Sequence, residues 1–167
     1  KLMKRKSDKW KKWDKLDDKF CKPHGALYHD LHQDQALAQK VSQLLIGEGF
    51  HTVVGMSPSI WLEEAHHAGL RSLQESFAER VYHQAGGIPR LSPRKYPWAS
   101  MSSLGEAVAQ GALIIKGEAI PLVESFSDHP PKIHTWVNKK VTADTLCIHS
   151  DSEIALDLAR ALREAIG

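Results

Sequence analysis

Short apolar runs alternate with stretches of helical periodicity along most of the chain. The run Thr52–Met56 predicts a buried strand, whereas the apolar side chains of Asp34–Leu45 recur every three or four residues, as on one face of a helix. The remaining predicted elements, in chain order, are a strand end or turn at Phe20–Gly25, a helix from Ser57 to about Ala68, a strand at Leu70–Glu75, a helix at Ser103–Gln110, strands at Ala112–Lys116, Ala119–Leu122 and Thr145–His149, and a helix at Glu153–Ile166.

Capping and turn residues set the ends of these elements. Ser57-Pro58 predicts an N-cap followed by a first-turn proline, and Ser103 opens a stretch with capping-box spacing. Gly117-Glu118 is compatible with a tight hairpin between two strands. Glycines and prolines predict a loop over residues 83–100, and a second irregular stretch is predicted over residues 124–140.

The alternation of strands and helices predicts an α/β fold with a mostly parallel sheet, because each helical crossover returns the chain to the same strand direction. The alternation alone is compatible with an open sheet and with a closed barrel. In both architectures, binding and catalytic groups gather at the carboxyl ends of the strands. Polar residues that follow predicted strands are therefore the first candidates for a functional site.

Positive charge is concentrated at the N-terminal end. Residues 1–20 contain nine Lys and Arg against four Asp, whereas the rest of the chain contains thirteen Lys and Arg against sixteen Asp and Glu. We therefore expect a basic extension over residues 1–20 and one folded domain over residues 21–167. In the extension, the spacing of Trp10, Trp13, Leu16 and Phe20 would place them on one side of a helix. This pattern fits either a solvated end helix or a contact with a partner or anionic surface.

Composition and motifs disfavour several functions. The mildly acidic body disfavours nucleic-acid binding, and the sequence has neither a run of about 18 apolar residues nor the apolar core of a secretory signal. We therefore expect a cytoplasmic protein without a membrane span. Cys21 and Cys147 are too few for a disulfide framework or a four-cysteine zinc site. Standard glycine-rich phosphate loops and the GxSxG nucleophile motif are also missing from the sequence.

Titratable side chains follow three predicted strands. Lys22 and His24 follow the first strand, Glu75 ends the third and is followed by Glu79 and Arg80, and the segment His149–Asp151 closes the last. Histidine can transfer protons, cations can hold anionic oxygens, and carboxylates can act as bases or fix an imidazole tautomer. We expect these groups to converge on one hollow, suited to hydrolytic or acyl-type chemistry on a small carboxylate-bearing substrate.

Two other interpretations of the histidines stay open. His24 and His149 can be ordinary histidines whose ring nitrogens are satisfied by backbone carbonyls. Together with Asp151 they can also hold a divalent metal, although their spacing matches no specific zinc motif.

Four ordered blocks of the chain resemble the LamB/YcsF family, which provides the A component of bacterial ATP-dependent 5-oxoprolinase. Lys22–Tyr28 resembles the family's VKPHGALYN, Glu75–Tyr82 resembles E-x-FADRxY, Leu91–Arg94 resembles LVPR, and Ala143–Asp151 resembles ADTxCVHGD. The resemblance covers about residues 21–167. It implies an irregular seven-stranded β/α barrel of the glycoside hydrolase/deacetylase type.

The resemblance also implies an activity and a site. The activity is the opening of 5-oxo-L-proline to L-glutamate, with ATP as co-substrate and with B and C subunits as partners. By the resemblance, the catalytic candidates are His24, Glu75, His149 and Asp151, and the substrate-binding candidates are Lys22, Arg80 and Arg94. Of these, Lys22 or Arg80 would bind the substrate carboxylate or an oxyanion, while His24, His149 and Asp151 would transfer protons.

The chain departs from the family pattern in ways that bear on function. Glu79 stands where the family has Asp, and Ser150 stands where it has a glycine able to adopt positive φ. The family's opening DLNCD-like and HPxxPD-like segments have no counterpart in this sequence, and a β/α barrel typically occupies about 250 residues. We therefore expect an incomplete barrel whose uncovered edge favours self-association.

Three functions consequently stay open at this point. The first is a shortened 5-oxoprolinase component of the A type. The second is a non-catalytic remnant of the same fold that acts as an interaction module. The third is a metal-dependent, deacetylase-like hydrolase.

Overall fold

The computed structural model describes residues 19–124 and 136–166. The strands are β1 (Phe20–Cys21), β2 (Thr52–Met56), β3 (Arg71–Phe77), β4 (Tyr82–Ala85), β5 (Ile88–Leu91), β6 (Ala119–Val123), β7 (Trp136–Lys140) and β8 (Thr145–Cys147). The helices are α1 (Gly25–Leu31), α2 (Gln35–Gly47), α3 (Ile60–His67), α4 (Leu104–Lys116) and α5 (Ala155–Ile166), with a 3₁₀ turn at Pro97–Ala99. None of the helices in the described ranges is long and apolar enough to cross a membrane.

The chain divides into two compact units. Within the described residues, the first unit runs to Ser76 and includes Ala143–Thr145. The second unit contains Phe77–Thr142 and continues from Leu146. The predicted basic helix over residues 1–20 lies, up to residue 18, outside the described residues, and Phe20 belongs to strand β1 instead.

The first unit is built on a sheet with strand order β1-β2-β3-β8. Strand β2 runs parallel to both β1 and β3, and all five of its residues are buried. The apolar core beside it consists of Leu31, Ala38, Leu45, Val53, Trp61, Leu62, Ala65 and Leu70. The predicted α/β fold with mostly parallel strands is thereby confirmed.

The second unit contains a mixed sheet with strand order β5-β4-β6-β7. Strands β4 and β6 are parallel, whereas β5 and β7 are antiparallel to their neighbours. The prediction of a loop over residues 83–100 was wrong for strands β4 and β5, which form a hairpin around Gly86-Gly87. Both glycines have positive φ, and Pro89 is tolerated because β5 is an outer strand.

Helix α4 replaces the predicted short helix and strand of residues 103–116. Its N-cap is Ser103, as predicted, but Gly111 lies inside the helix instead of ending it. A Cβ atom at Gly111 would lie 2.5 Å from Leu162 Cδ2 and 3.2 Å from Ala78 Cβ, so this glycine allows close packing. The helix ends at Gly117, whose φ of 69° is that of a left-handed cap, and the predicted hairpin there was wrong.

Several other element boundaries differ from the predicted ones by a few residues. Ser59, not Ser57, caps α3, since its side chain accepts the Leu62 N–H at 3.4 Å, and the Ser57–Pro58 peptide is cis. Helices α2 and α5 lie within about two residues of their predicted ranges, and β8 is shorter than the predicted strand. The predicted irregular stretch over residues 124–140 contains strand β7. This strand forms by antiparallel pairing with β6, which its local sequence pattern does not reveal. The sequence interpretation did not include α1.

The close approach at Gly111 yields a stability prediction. Relative to the matched change Gly105→Ala in the same helix, we expect Gly111→Ala to lower the free energy of unfolding by about 1–3 kcal/mol, because the new methyl overpacks a filled space. A Cβ at Gly105 would find no heavy atom closer than 3.9 Å. Urea denaturation followed by circular dichroism measures both variants. Equal stability of the two would contradict the packing role of Gly111.

Candidate functional site

The first unit places a buried ion pair after β1 and within β3. Lys22 follows β1, and Glu75 lies on β3 in register with Met56 of β2. Lys22 Nζ lies 2.6 Å from Glu75 Oε2, while the Glu75 side chain is 1% exposed and that of Lys22 is 23% exposed. An ionised carboxylate buried to this degree requires a cation nearby. The pair therefore joins two of the predicted site residues.

The hydrogen-bonding capacity of this ion pair is only partly satisfied. Among the described residues, the second oxygen of Glu75, Oε1, is buried without a hydrogen-bond partner. His24, two residues after Lys22, is exposed at the N-cap of α1 and makes no capping hydrogen bond with its side chain. The first unit thus brings Lys22 to Glu75 and leaves His24 facing solvent.

The second unit places a buried carboxylate against a histidine. Glu79 Oε1 accepts the backbone N–H of His149 at 2.9 Å and lies 2.5 Å from Nδ1 of the same histidine. The Glu79 side chain is 2% exposed and that of His149 is 25% exposed. The ring of Phe77 stacks on the imidazole with centroids 5.5 Å apart and planes 12° apart. The imidazole is therefore held on its edge and on one face.

The backbone around Glu79 is held by an interior amide. Gln110 of α4 is buried, and its Nε2 donates to the carbonyl oxygens of Phe77, Ala78 and Arg80 at 3.0, 3.0 and 2.8 Å. The Met101 N–H donates to the carbonyl of Glu79 at 2.8 Å. These bonds hold the backbone on both sides of Glu79, the residue whose carboxylate contacts His149.

Burial and hydrogen bonding act in opposite directions on the Glu79 carboxyl. Burial, the largest single influence, raises its pKa, whereas the hydrogen bonds from the ring and backbone of His149 lower it. The sum leaves the pKa of Glu79 below its ordinary value. Glu79 is therefore an ionised acceptor at neutral pH.

The three remaining charged candidates of the second unit differ in exposure. Arg80 is 4% exposed and donates to the carbonyl oxygens of Ala99 at 3.0 Å and Ser92 at 2.6 Å, so it clamps the backbone. Burial, followed by the charge of Arg94, lowers the pKa of Arg80. Arg94 pairs with Asp151 at 3.5 Å, but both side chains are more than half exposed, so the pair contributes little stability.

Each unit thus assembles part of the predicted site. The first unit pairs Lys22 with Glu75. The second unit pairs Arg94 with Asp151 and holds His149 through Glu79, which is not one of the predicted site residues. Convergence of these groups on one hollow stays a prediction. Ser150 does not adopt the positive φ open to the family's glycine, because no non-glycine residue in the described ranges has positive φ.

The sequence interpretation did not include Glu79 or Gln110 among the candidate site residues. Glu79 was noted beside Glu75 and Arg80 and as a departure from the family motif, but its contact with His149 was not predicted. Gln110 carried no signal, because a glutamine near the middle of a helix is usually exposed. Both act across at least 30 residues of sequence, a separation that local patterns do not report.

The first unit also carries a large surface groove. It has a volume of about 740 Å³ and is lined by Ser57, Pro58, Ser59, Leu62, Glu63, His66, Gly69, Leu70, Arg71, Ser72 and Gln74. None of the predicted site residues lines it. Within the described ranges, no three His, Cys, Asp or Glu side chains are grouped so that they could hold a metal ion. We therefore place the candidate site at the charged pairs, where the titratable chemistry lies.

The fold is that of an α/β protein, and each of its two units pairs acidic with basic side chains. The sequence profile of the LamB/YcsF family matches residues 8–167. The chain is 37% identical to the A-type subunit of 5-oxoprolinase from Bordetella pertussis over 146 residues, which cover 87% of this chain and 52% of that protein. It is 34% identical to the corresponding 5-oxoprolinase subunit of Thermus thermophilus over 148 residues, covering 87% and 53%.

A solved structure agrees with these sequence matches. The crystal structure of a lactam utilization protein from Thermus thermophilus superposes with a TM-score of 0.68 at 30% identity, covering 87% of this chain and 52% of that one. The chain belongs to the LamB/YcsF family. It spans about half the length of the curated relatives that it matches.

The buried ion pair of the first unit yields a second prediction. We expect Lys22→Met to lower the free energy of unfolding by about 3–5 kcal/mol, because the Glu75 carboxylate would be buried without its cation. The double variant Lys22→Met with Glu75→Leu should recover part of this loss, and Lys40→Met on the exposed face of α2 is the matched control. Urea denaturation measures all three. A loss for Lys22→Met no larger than for the control would show that the pair is not needed.

The lowered pKa of Glu79 yields a prediction for acid stability. A carboxyl whose pKa is lower in the folded state adds stability at pH values above its ordinary pKa of 4.5. This contribution disappears as the pH falls through the pKa of the folded state. The stability difference between wild type and Glu79→Gln should therefore be largest above pH 4.5 and shrink below it. Urea denaturation from pH 6 downward measures this difference, with Glu118→Gln as an exposed control. A difference independent of pH would contradict the assignment.

Proposed function

We propose that this chain is a 5-oxoprolinase component of the A type. In this proposal it contributes to the hydrolytic opening of 5-oxo-L-proline to L-glutamate, coupled to ATP hydrolysis and performed with B- and C-type partner subunits. The observation that carries the proposal is the buried contact between Glu79 and His149, since it presents a fixed imidazole after strand β8. The names of the relatives, which are a 5-oxoprolinase subunit and a lactam utilization protein, support the choice of substrate.

The reaction needs a group that moves protons. Water adds to the lactam carbonyl carbon, the bond between this carbon and the ring nitrogen breaks, and the nitrogen takes up a proton to give glutamate. ATP is the co-substrate of the complex, and it is hydrolysed to ADP and phosphate. In the proposal, His149 takes a proton from the attacking water and returns one to the departing nitrogen.

The substrate carboxylate also needs a cation. Of the three cationic candidates, Arg80 already donates to two backbone carbonyls and is almost fully buried. Lys22 and Arg94 keep 23% and 53% of their side chains exposed, so the proposal assigns carboxylate binding to these two. His24 and Asp151, both exposed, are assigned to proton exchange with solvent.

Reconstitution with partner subunits tests this function. We expect the chain, mixed with B- and C-type 5-oxoprolinase subunits, to release glutamate from 5-oxoproline only when ATP is present. His149→Ala should lower this rate on the order of 100-fold or more, because it removes the proton carrier. His66→Ala, at an exposed histidine of α3, is the matched control and should leave the rate unchanged.

The outcomes separate the alternatives. A full-length relative of the A type with the same partners shows that the assay works. If that mixture is active and the chain is not, the chain is a non-catalytic member of the family. If the chain hydrolyses an acetylated sugar only with added metal, the deacetylase-like alternative is favoured.

A further inference from the structure

A single oxygen of Glu79 faces two donors of the same residue. Oε1 accepts the backbone N–H of His149 and also lies 2.5 Å from the ring nitrogen Nδ1. If Nδ1 carried a lone pair, two electron-rich atoms would face each other at this distance. The contact is therefore favourable only with the proton on Nδ1, which then donates to the carboxylate.

The carboxylate cannot easily turn away from the imidazole. Its side chain is 2% exposed, and Gln110 holds the backbone on both sides of it through the carbonyls of Ala78 and Arg80. The stacked ring of Phe77 limits rotation of the imidazole from one face. Carboxylate and ring therefore meet in one orientation.

From this geometry we infer that Glu79 is a positioning residue, which holds His149 in the Nδ1–H tautomer and leaves the lone pair on Nε2. Nε2 is the nitrogen not engaged with Glu79, and a quarter of the His149 side chain is exposed. The carboxylate would also stabilise the imidazolium formed when Nε2 takes a proton. The role in catalysis rests on the proposed function, whereas the tautomer is a property of the chain by itself.

Nuclear magnetic resonance of the full chain tests the tautomer directly. Two-bond ¹H–¹⁵N correlations of ¹⁵N-labelled protein are recorded at increasing pH until the imidazole nitrogen shifts no longer change, so that the neutral ring is observed. The signals of His149 are identified by their loss in His149→Gln. We expect Nδ1 to have the shift of a protonated nitrogen and Nε2 that of an unprotonated one.

Substitutions at Glu79 show whether its charge sets this preference. In Glu79→Gln the amide can accept from Nδ1–H or donate to Nδ1, so the share of the Nε2–H form should rise severalfold. Glu79→Asp keeps a carboxylate and should retain the Nδ1–H form, and Glu118→Gln should change nothing. A wild-type spectrum with the proton on Nε2 would overturn the inference, and it decides the question even if Glu79→Gln does not fold.

An activity measurement separates the positioning role from a purely structural one. In the reconstituted complex, Glu79→Gln should lower kcat on the order of 100-fold with little change in KM, and Glu79→Asp should restore most of the rate. An unchanged kcat in a folded Glu79→Gln variant would rule out the positioning role. If the wild-type complex is inactive, the proposed function fails, while the tautomer measurement still tests the contact.

Discussion

The second unit is organised around the need to satisfy one buried carboxylate. Glu79 cannot stay ionised in the interior without donors, and His149 supplies two to Oε1, from its ring and from its backbone, while Oε2 is buried without a partner among the described residues. The hydrogen bonds outweigh the burial, since the pKa of Glu79 lies below its ordinary value. The same contacts fix the ring, so the groups that donate to the carboxylate also hold the imidazole in place.

The first unit meets a similar constraint with a cation. Glu75 is as buried as Glu79, and Lys22 approaches it from the end of β1. The exposed pair of Arg94 and Asp151 has the same charges but competes with water, so it contributes little to stability. Burial therefore separates the charged pairs on which the stability of the fold depends from the exposed pair, which competes with water.

Sequence patterns predicted the elements whose formation depends on local periodicity. Strand β2 matched its prediction, and α2 and α5 came close, because their apolar positions repeat with the period of the element. Two of the failures involve glycines whose place in the fold depends on distant residues. Gly111 looks like a helix end, yet it lies within α4 because Leu162 needs the space, and Gly86-Gly87 turns a hairpin inside a predicted loop. Packing and pairing partners of this kind are distant in sequence and leave no local pattern.

In the candidate site, too, local patterns predicted some features and missed those that depend on residues distant in sequence. Motif blocks identified Lys22, Glu75 and His149, but not the residue that holds His149, because Glu79 and His149 are 70 positions apart. The block that contains Glu79 includes the end of β3 and the segment after it, where the side chain of Gln110 bonds to the carbonyls of Phe77, Ala78 and Arg80. Buried carbonyls outside regular pairing need other donors, and here Gln110 of α4 and the backbone of Met101 supply them. The glutamine of α4 thus holds the backbone on both sides of Glu79 without contacting the carboxylate, so the position of the Glu79–His149 contact depends on packing that no local sequence pattern reports.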